Sequence, residues 1–182
     1  MKNPFRRIAS RTPFESPYFR VREDTVIRPN GTESPFAVIE MKRGASVLAI
    51  TDDREVYLVR EFKYAIDRPS LEVISGGLEL DEAPLDGARR ELAEEAGLSA
   101  REWVECGFID PFTTMVSGPV YLYIAAGLAP VARHPDEGEV LETVKIPLER
   151  ALEMIKTGEI THAPTCVLLY RCRDWVGVAR AA

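Results

Sequence analysis

Residues 76–98 read GGLELDEAPLDGARRELAEEAGL, and the fold turns on how this stretch is understood. It puts seven acidic residues and two arginines into one loop and helix. Pro84 suits a first helical position, and Gly97 suits the left-handed residue that follows a last turn. Between them, at about 100° per residue, Leu85, Ala88, Leu92 and Ala96 form an apolar stripe that should pack on a sheet. Gly87 costs the helix about 1 kcal/mol relative to alanine, so close backbone packing is expected there. Glu91 and Glu95, an i,i+4 pair, are expected on the far side from the stripe with Glu94 beside them. Like charges at that spacing weaken a helix, and the negative end of the helix dipole adds to the penalty. A bound divalent cation relieves both, and oxygen-only ligands suit Mg²⁺ or Mn²⁺ rather than zinc. The competing reading is a solvated acidic helix face.

Composition narrows the classes. The chain has 182 residues, 46% hydrophobic and 29% charged, which fits one globular domain, or one with a small extension. A net charge of −6 gives no nucleic-acid footprint, and no apolar run approaches the ~20 residues of a membrane span. The first ten residues, MKNPFRRIAS, lack the apolar core of a signal peptide. Cys106, Cys166 and Cys172 form no CxxC, and His134 and His162 stand isolated in the sequence, so neither a disulfide framework nor a zinc site is expected. A reduced, cytoplasmic protein that binds neither nucleic acid nor membrane is the expectation.

Strands are predicted within the first 35 residues, around YFRVRED and the turn PNG, and then at 36–41, 45–50, 55–62, 70–75, 103–109, 120–128 and 139–146. Helices are predicted over 147–158, with Pro147 in the first turn, and over 164–176. Strands surrounding two or three helices give a mixed α/β sandwich rather than a βαβ repeat.

Gly76, Glu82 and the run Arg90-Glu91-Leu92-Ala93-Glu94-Glu95-Ala96-Gly97-Leu98 fill every fixed position of the Nudix box, which argues against the solvated-face reading. The chain thus resembles the Nudix hydrolases. VREFKYAIDRPSLEVISGGLE before the box and HPDEGEVLETVKIPLERALEMIKTGEI after it are similar to the ADP-ribose pyrophosphatase branch, so the likeness covers roughly residues 18–170. It implies an α/β (α+β) fold of Nudix type, an α/β/α sandwich with a mixed sheet and an N-terminal strand extension. Residues 1–41 are then expected to be dimerisation strands and 42–182 the Nudix domain.

The resemblance also implies hydrolysis of a nucleoside diphosphate linked to another moiety. ADP-ribose, giving AMP and ribose 5-phosphate, comes first, and GDP-mannose, another nucleotide sugar or a dinucleotide is the alternative. Water attacks one phosphorus while Mg²⁺, with Mn²⁺ as an acceptable substitute, neutralises the phosphate oxygens. Glu91, Glu94 and Glu95 are expected to bind metal and to act in catalysis, with the Ser75 carbonyl completing the coordination. Arg90 is expected to orient the glutamates through a buried ion pair. Glu82 is open between a place near the metal and a cap on the first helical turn. Arg60 and Lys63 are substrate-binding candidates, with an exposed edge-strand charge pair as the alternative. Glu72 is a third, contacting a ribose or base, with a structural hydrogen bond as its alternative. Tyr18 and Phe19 are open between stacking on a base and core or dimer contacts.

One departure stands out. The branch carries a Ser-Pro-Gly loop followed by a catalytic glutamate, whereas residues 111–119 here contain no acid. The base is then expected from elsewhere, with Asp110, Glu137 and Glu139 as candidates beside Glu94, or from a metal-bound water needing no separate base. A non-catalytic Nudix ligand sensor is the reading from a different class. Such sensors usually lose box glutamates or add a DNA-binding domain. This box is intact, and too few residues follow Ile146 for a winged helix.

Overall fold

The computed structural model describes residues 1–133 and 140–174 and divides into two compact units. The first comprises Met1–Arg43 with Asp110–Pro119. Its strands β1 (Arg6–Glu15), β2 (Phe19–Ile27) and β3 (Glu33–Met41) form an antiparallel meander. A two-residue strand, Val116–Ser117 (β9 in chain order), pairs in parallel with β3. The predicted PNG turn joins β2 to β3, with Gly31 at φ +83° and its N–H donating to the Arg28 carbonyl at 2.9 Å. Asp24, 7% exposed, accepts from Ser10 Oγ at 2.7 Å and from Arg22, which also donates to Glu40 at 2.7 Å. Phe19 packs on Phe14 at 5.3 Å between ring centroids, while Tyr18 is exposed.

The second unit, Gly44–Ile109 with Val120–Ala182, is built on a seven-stranded mixed sheet. Its strands are β4 (Gly44–Ile50), β5 (Glu55–Lys63), β6 (Arg68–Glu72), β7 (Ile74–Gly77), β8 (Leu98–Ile109), β10 (Val120–Pro130) and β11 (Glu142–Pro147). The main path runs β11-β5-β4-β10-β8, parallel only between β4 and β10. Helix α1 (Pro84–Ala96) packs on one side of the sheet, and α2 (Leu148–Lys156) and α3 (Ala163–Cys172) pack on the other.

The alternation of β4 and β10 explains the layering. Leu48, Ile50, Leu122 and Ile124 enter the core with Leu148, Leu168 and Leu169. Ala45, Val47, Ala49, Tyr123 and Ala125 enter the core with Ala88 and Leu92. A strand covered on both faces reads as a continuous apolar run, as 47–50 does. The expected mixed α/β sandwich is the observed architecture.

Three boundaries differ from the expectation. The single strand predicted over 70–75 is two strands, because β6 pairs β5 up to Glu72 while β7 pairs β4 from Ile74. Strand β5 contacts β4 only at residues 56–57 and then diverges, so the chain changes partner at Val73, and no turn residue marks the change. Strand β8 starts at Leu98, since the polar run after the box still pairs with β10 as far as Pro130. Pro147 caps α2 from outside its first turn. The start of the strand predicted from 139 and the end of the helix predicted to 176 lie outside the described residues.

Candidate active site

Helix α1 forms as its sequence requires. Pro84 opens it, and Gly97 closes it at φ +64°, donating its N–H to the Ala93 carbonyl at 3.0 Å. The expected orientation of the glutamates is corrected. Glu91 and Glu95 are each 8% exposed and share the inner face with Ala88 and Leu92. In helical projection Glu95 lies about 20° from Ala88, so the turn that buries the alanine buries the carboxylate too. Both reach β7: the Ser75 N–H donates to Glu95 Oε2 at 3.3 Å, and a Cβ on Gly76 would overlap the Glu91 carboxylate. The first glycine of the box therefore makes room for Glu91. Gly87 follows the same logic, since a Cβ there would overlap Leu78 and come within 3.0 Å of Glu82.

Arg90 gathers the acids. Its Nε and Nη2 donate to the two oxygens of Glu82, both at 3.0 Å, and Nη2 also reaches the Gly77 carbonyl at 3.0 Å. Its Nη1 donates to Glu91 at 2.8 Å and Glu94 at 3.0 Å. The Glu82 pair above all, against the opposing effect of burial, holds the guanidinium above its ordinary value, with Glu91 and Glu94 adding to it. Such a two-oxygen fork suits arginine rather than lysine. Ala83 holds the N-cap position, and Glu82 accepts from Arg90 and from the Glu79 N–H at 2.9 Å.

This pairing predicts a pH dependence of stability. The Arg90 hydrogen bonds hold Glu82 below its ordinary 4.5, so its contribution is present above that pH and fades as pH falls through the folded value. Glu82→Gln should cost about 1–2 kcal/mol at neutral pH. Denaturant titrations should show the stability gap to the parent protein narrowing as pH falls below the ordinary carboxylate range and through the depressed folded value.

Of the other predicted residues, Arg60 and Lys63 lie on β5 and Glu72 ends β6. Residues an odd number apart point oppositely, so Arg60 and Lys63 are separated. Arg60 is exposed and donates to Glu142, its cross-strand neighbour on β11, at 2.8 Å. Lys63 shares the α1 side with Val59 and Glu61. It pairs with Glu61 and stands 3.9 Å from Glu72. Burial pulls its ammonium down, but Glu61, Glu72 and the field of Glu95 outweigh this and leave it above its ordinary value. The structure thus groups Lys63, Glu61, Glu72 and Glu95, and separately ties Arg90 to Glu82, Glu91 and Glu94.

Glu61 escaped the sequence reading, although the alternation of Val59, Glu61 and Lys63 carried its signal. His162, isolated in sequence, lies 3.5 Å from Glu72 in the fold. Among the base candidates, Asp110 is exposed in the first unit, and Glu137 and Glu139 lie outside the described residues.

Among the described residues no three His, Cys, Asp or Glu side chains already stand as a ligand set. The chemistry nevertheless fits a hard divalent cation. Two buried carboxylates one turn apart flank a backbone that has no side chain at Gly76, and all the donors are oxygen.

Comparison with known proteins gives the family. The model of the NUDIX domain matches residues 40–166, and that of the nucleoside diphosphate sugar hydrolase N-terminal domain matches residues 5–39. The ADP-ribose pyrophosphatase of Bacillus subtilis (strain 168) is 30% identical over 139 residues, covering 75% of each chain. The GDP-mannose pyrophosphatase of Enterobacter sp. (strain 638) is 31% identical over 166 residues, covering 84% of this chain and 86% of that one. The crystal structure of an ADP compounds hydrolase shares the fold, with a TM-score of 0.83 at 21% identity over 94% of both chains. The chain belongs to the Nudix family and is a Nudix hydrolase.

Proposed function

We propose that this hydrolase cleaves the pyrophosphate of ADP-ribose to AMP and ribose 5-phosphate with Mg²⁺, Mn²⁺ substituting. The observation that carries the reading is the pair of buried glutamates, Glu91 and Glu95, packed on Gly76 and Ser75. Nudix hydrolases generally use divalent cations. Here Glu91, Glu95 and the Ser75 carbonyl would hold one, with Glu94 at the rim. A bound cation supplies charge neutralisation at the phosphates and a more acidic water. Arg90 keeps Glu91 and Glu94 in place. Lys63 offers its ammonium to phosphate oxygens, and Glu72 offers its carboxylate to ribose or base hydroxyls. Arg60, already paired with Glu142, is the weakest of the substrate-binding assignments.

GDP-mannose is the second reading, favoured by the relative of that name at similar identity. A panel of ADP-ribose, GDP-mannose, UDP-glucose, NADH, FAD and diadenosine polyphosphates, read by phosphate release after phosphatase treatment, separates the two. ADP-ribose should give the highest kcat/KM. A preference for GDP-mannose would overturn the first reading, and no turnover of any compound with Mg²⁺ or Mn²⁺ would favour a ligand-sensing module.

The same reading includes a homodimer built on residues 1–41. All ten residues of β1 are exposed, including Ile8 and Phe14, and an unpaired edge strand of this length invites a partner. Light scattering should give about twice the 20.3 kDa of one chain. A mass near that of a single chain would reject the dimer. Among the described residues no helix is long and apolar enough to cross a membrane, and the three free cysteines fit a reducing cytoplasm.

A further inference from the structure

The change of strand partner at Val73 is held from the opposite side of the sheet. The Val73 N–H donates to Thr165 Oγ1 at 2.9 Å, and Thr165 is fully buried in the first turn of α3. A hydroxyl that accepts one hydrogen bond still has a proton to give. His162 Nδ1, at the start of the same helix, lies 2.9 Å from that oxygen and 3.5 Å from Glu72 Oε2. One ring nitrogen therefore faces two competing partners. A neutral ring protonated on Nε2 can accept the threonine proton at Nδ1, whereas a charged ring carries hydrogen on both nitrogens and can only donate.

Among the described residues, the charged groups around the ring come from two strands. Glu72 faces it from β6. Lys63, 3.9 Å from Glu72, and its partner Glu61 come from β5. Arg68, also on β6, donates to Thr161 Oγ1 at 3.1 Å, next to His162 in sequence. Burial pulls the imidazole below its ordinary value, with Glu72 opposing and Lys63 reinforcing the effect. The ring is accordingly neutral at neutral pH.

We propose that His162 is a positioning residue for Glu72. When neutral it accepts the hydrogen bond of the Thr165 hydroxyl and leaves the Glu72 carboxylate to Lys63 and the substrate; when charged it draws Glu72 onto itself. The inference rests on the reading above that Glu72 binds substrate, and it makes substrate affinity depend on a group outside the Nudix box.

Two measurements test it. The diphosphate of ADP-ribose stays fully ionised near neutrality, so a pH step in KM reports the protein. KM should rise about three- to tenfold as pH falls from about 8 through the ring's midpoint, the scale of one hydrogen bond. His162→Asn keeps a polar atom near the Nδ1 position but does not titrate, and it should flatten the step in KM. A flat profile in the parent protein, or an unchanged step in the variant, overturns the proposal.

The second measurement needs no turnover. The His162 ring resonance, identified by its loss in His162→Asn, should titrate at a lower pH in Glu72→Gln and at a higher pH in Lys63→Met. A midpoint that ignores both changes overturns the pairing. If the parent protein turns over no nucleotide sugar, the functional reading falls, and the resonance titration alone decides the role of His162.

Discussion

Glu95→Gln should lower turnover on the preferred substrate by about 10²-fold or more, the loss typical of removing a group that stabilises charge at the reacting centre. Glutamine keeps the size and can still accept the Ser75 N–H, so packing against β7 is retained. Metal-free stability should barely move. Relief of repulsion with Glu91 is worth a few tenths of a kcal/mol and acts against the lost attraction to Lys63, leaving a net change below about 1 kcal/mol. Steady-state kinetics across Mg²⁺ concentrations, with thermal melts in chelator, measure both quantities. A variant that unfolds, or one that turns over normally at saturating Mg²⁺, would show that the carboxylate is structural.

Gly76→Ala should lower divalent-metal affinity by about 10–100-fold, and activity with it, the range seen when support of a ligand is removed. The single methyl occupies the space of the Glu91 carboxylate and forces it away from the β7 backbone. Gly76 is not among the glycines at positive φ, so the effect is steric rather than conformational. Mn²⁺ binding followed by electron paramagnetic resonance reads the affinity directly. Adding Glu91→Asp, which shortens the side chain by one carbon, should recover part of it. Parent-like Mn²⁺ affinity in Gly76→Ala would remove the glycine from the metal site.

These two positions also show where sequence reasoning reached its limit. The Pro84 and Gly97 bounds, the apolar stripe and the demand for space at Gly87 are local properties, fixed within a few residues by helix geometry, and the structure repeats them. Acidity alone suggests that Glu91 and Glu95 face solvent, but helical periodicity sets their orientation. The helical turn that carries Ala88 inward carries both carboxylates with it. The separation of Arg60 from Lys63 was legible in principle, since strand alternation sets it, but the sequence supplied no partner for either residue. Glu142 lies 82 residues from Arg60 and meets it only because β11 pairs with β5.

The sequence by itself determined the Nudix box, the helix that carries it, the order of most strands and the oxygen chemistry of the acidic cluster. Each of these depends on spacing within one element. Tertiary structure alone decided that β5 diverges from β4, that the chain changes partner at Val73, and that Glu61, Lys63, Glu72 and Glu95 share a neighbourhood with His162 on its far edge. Sheet pairing joins residues tens of positions apart through backbone hydrogen bonds that any side chain permits, so it leaves little trace in the sequence of either strand.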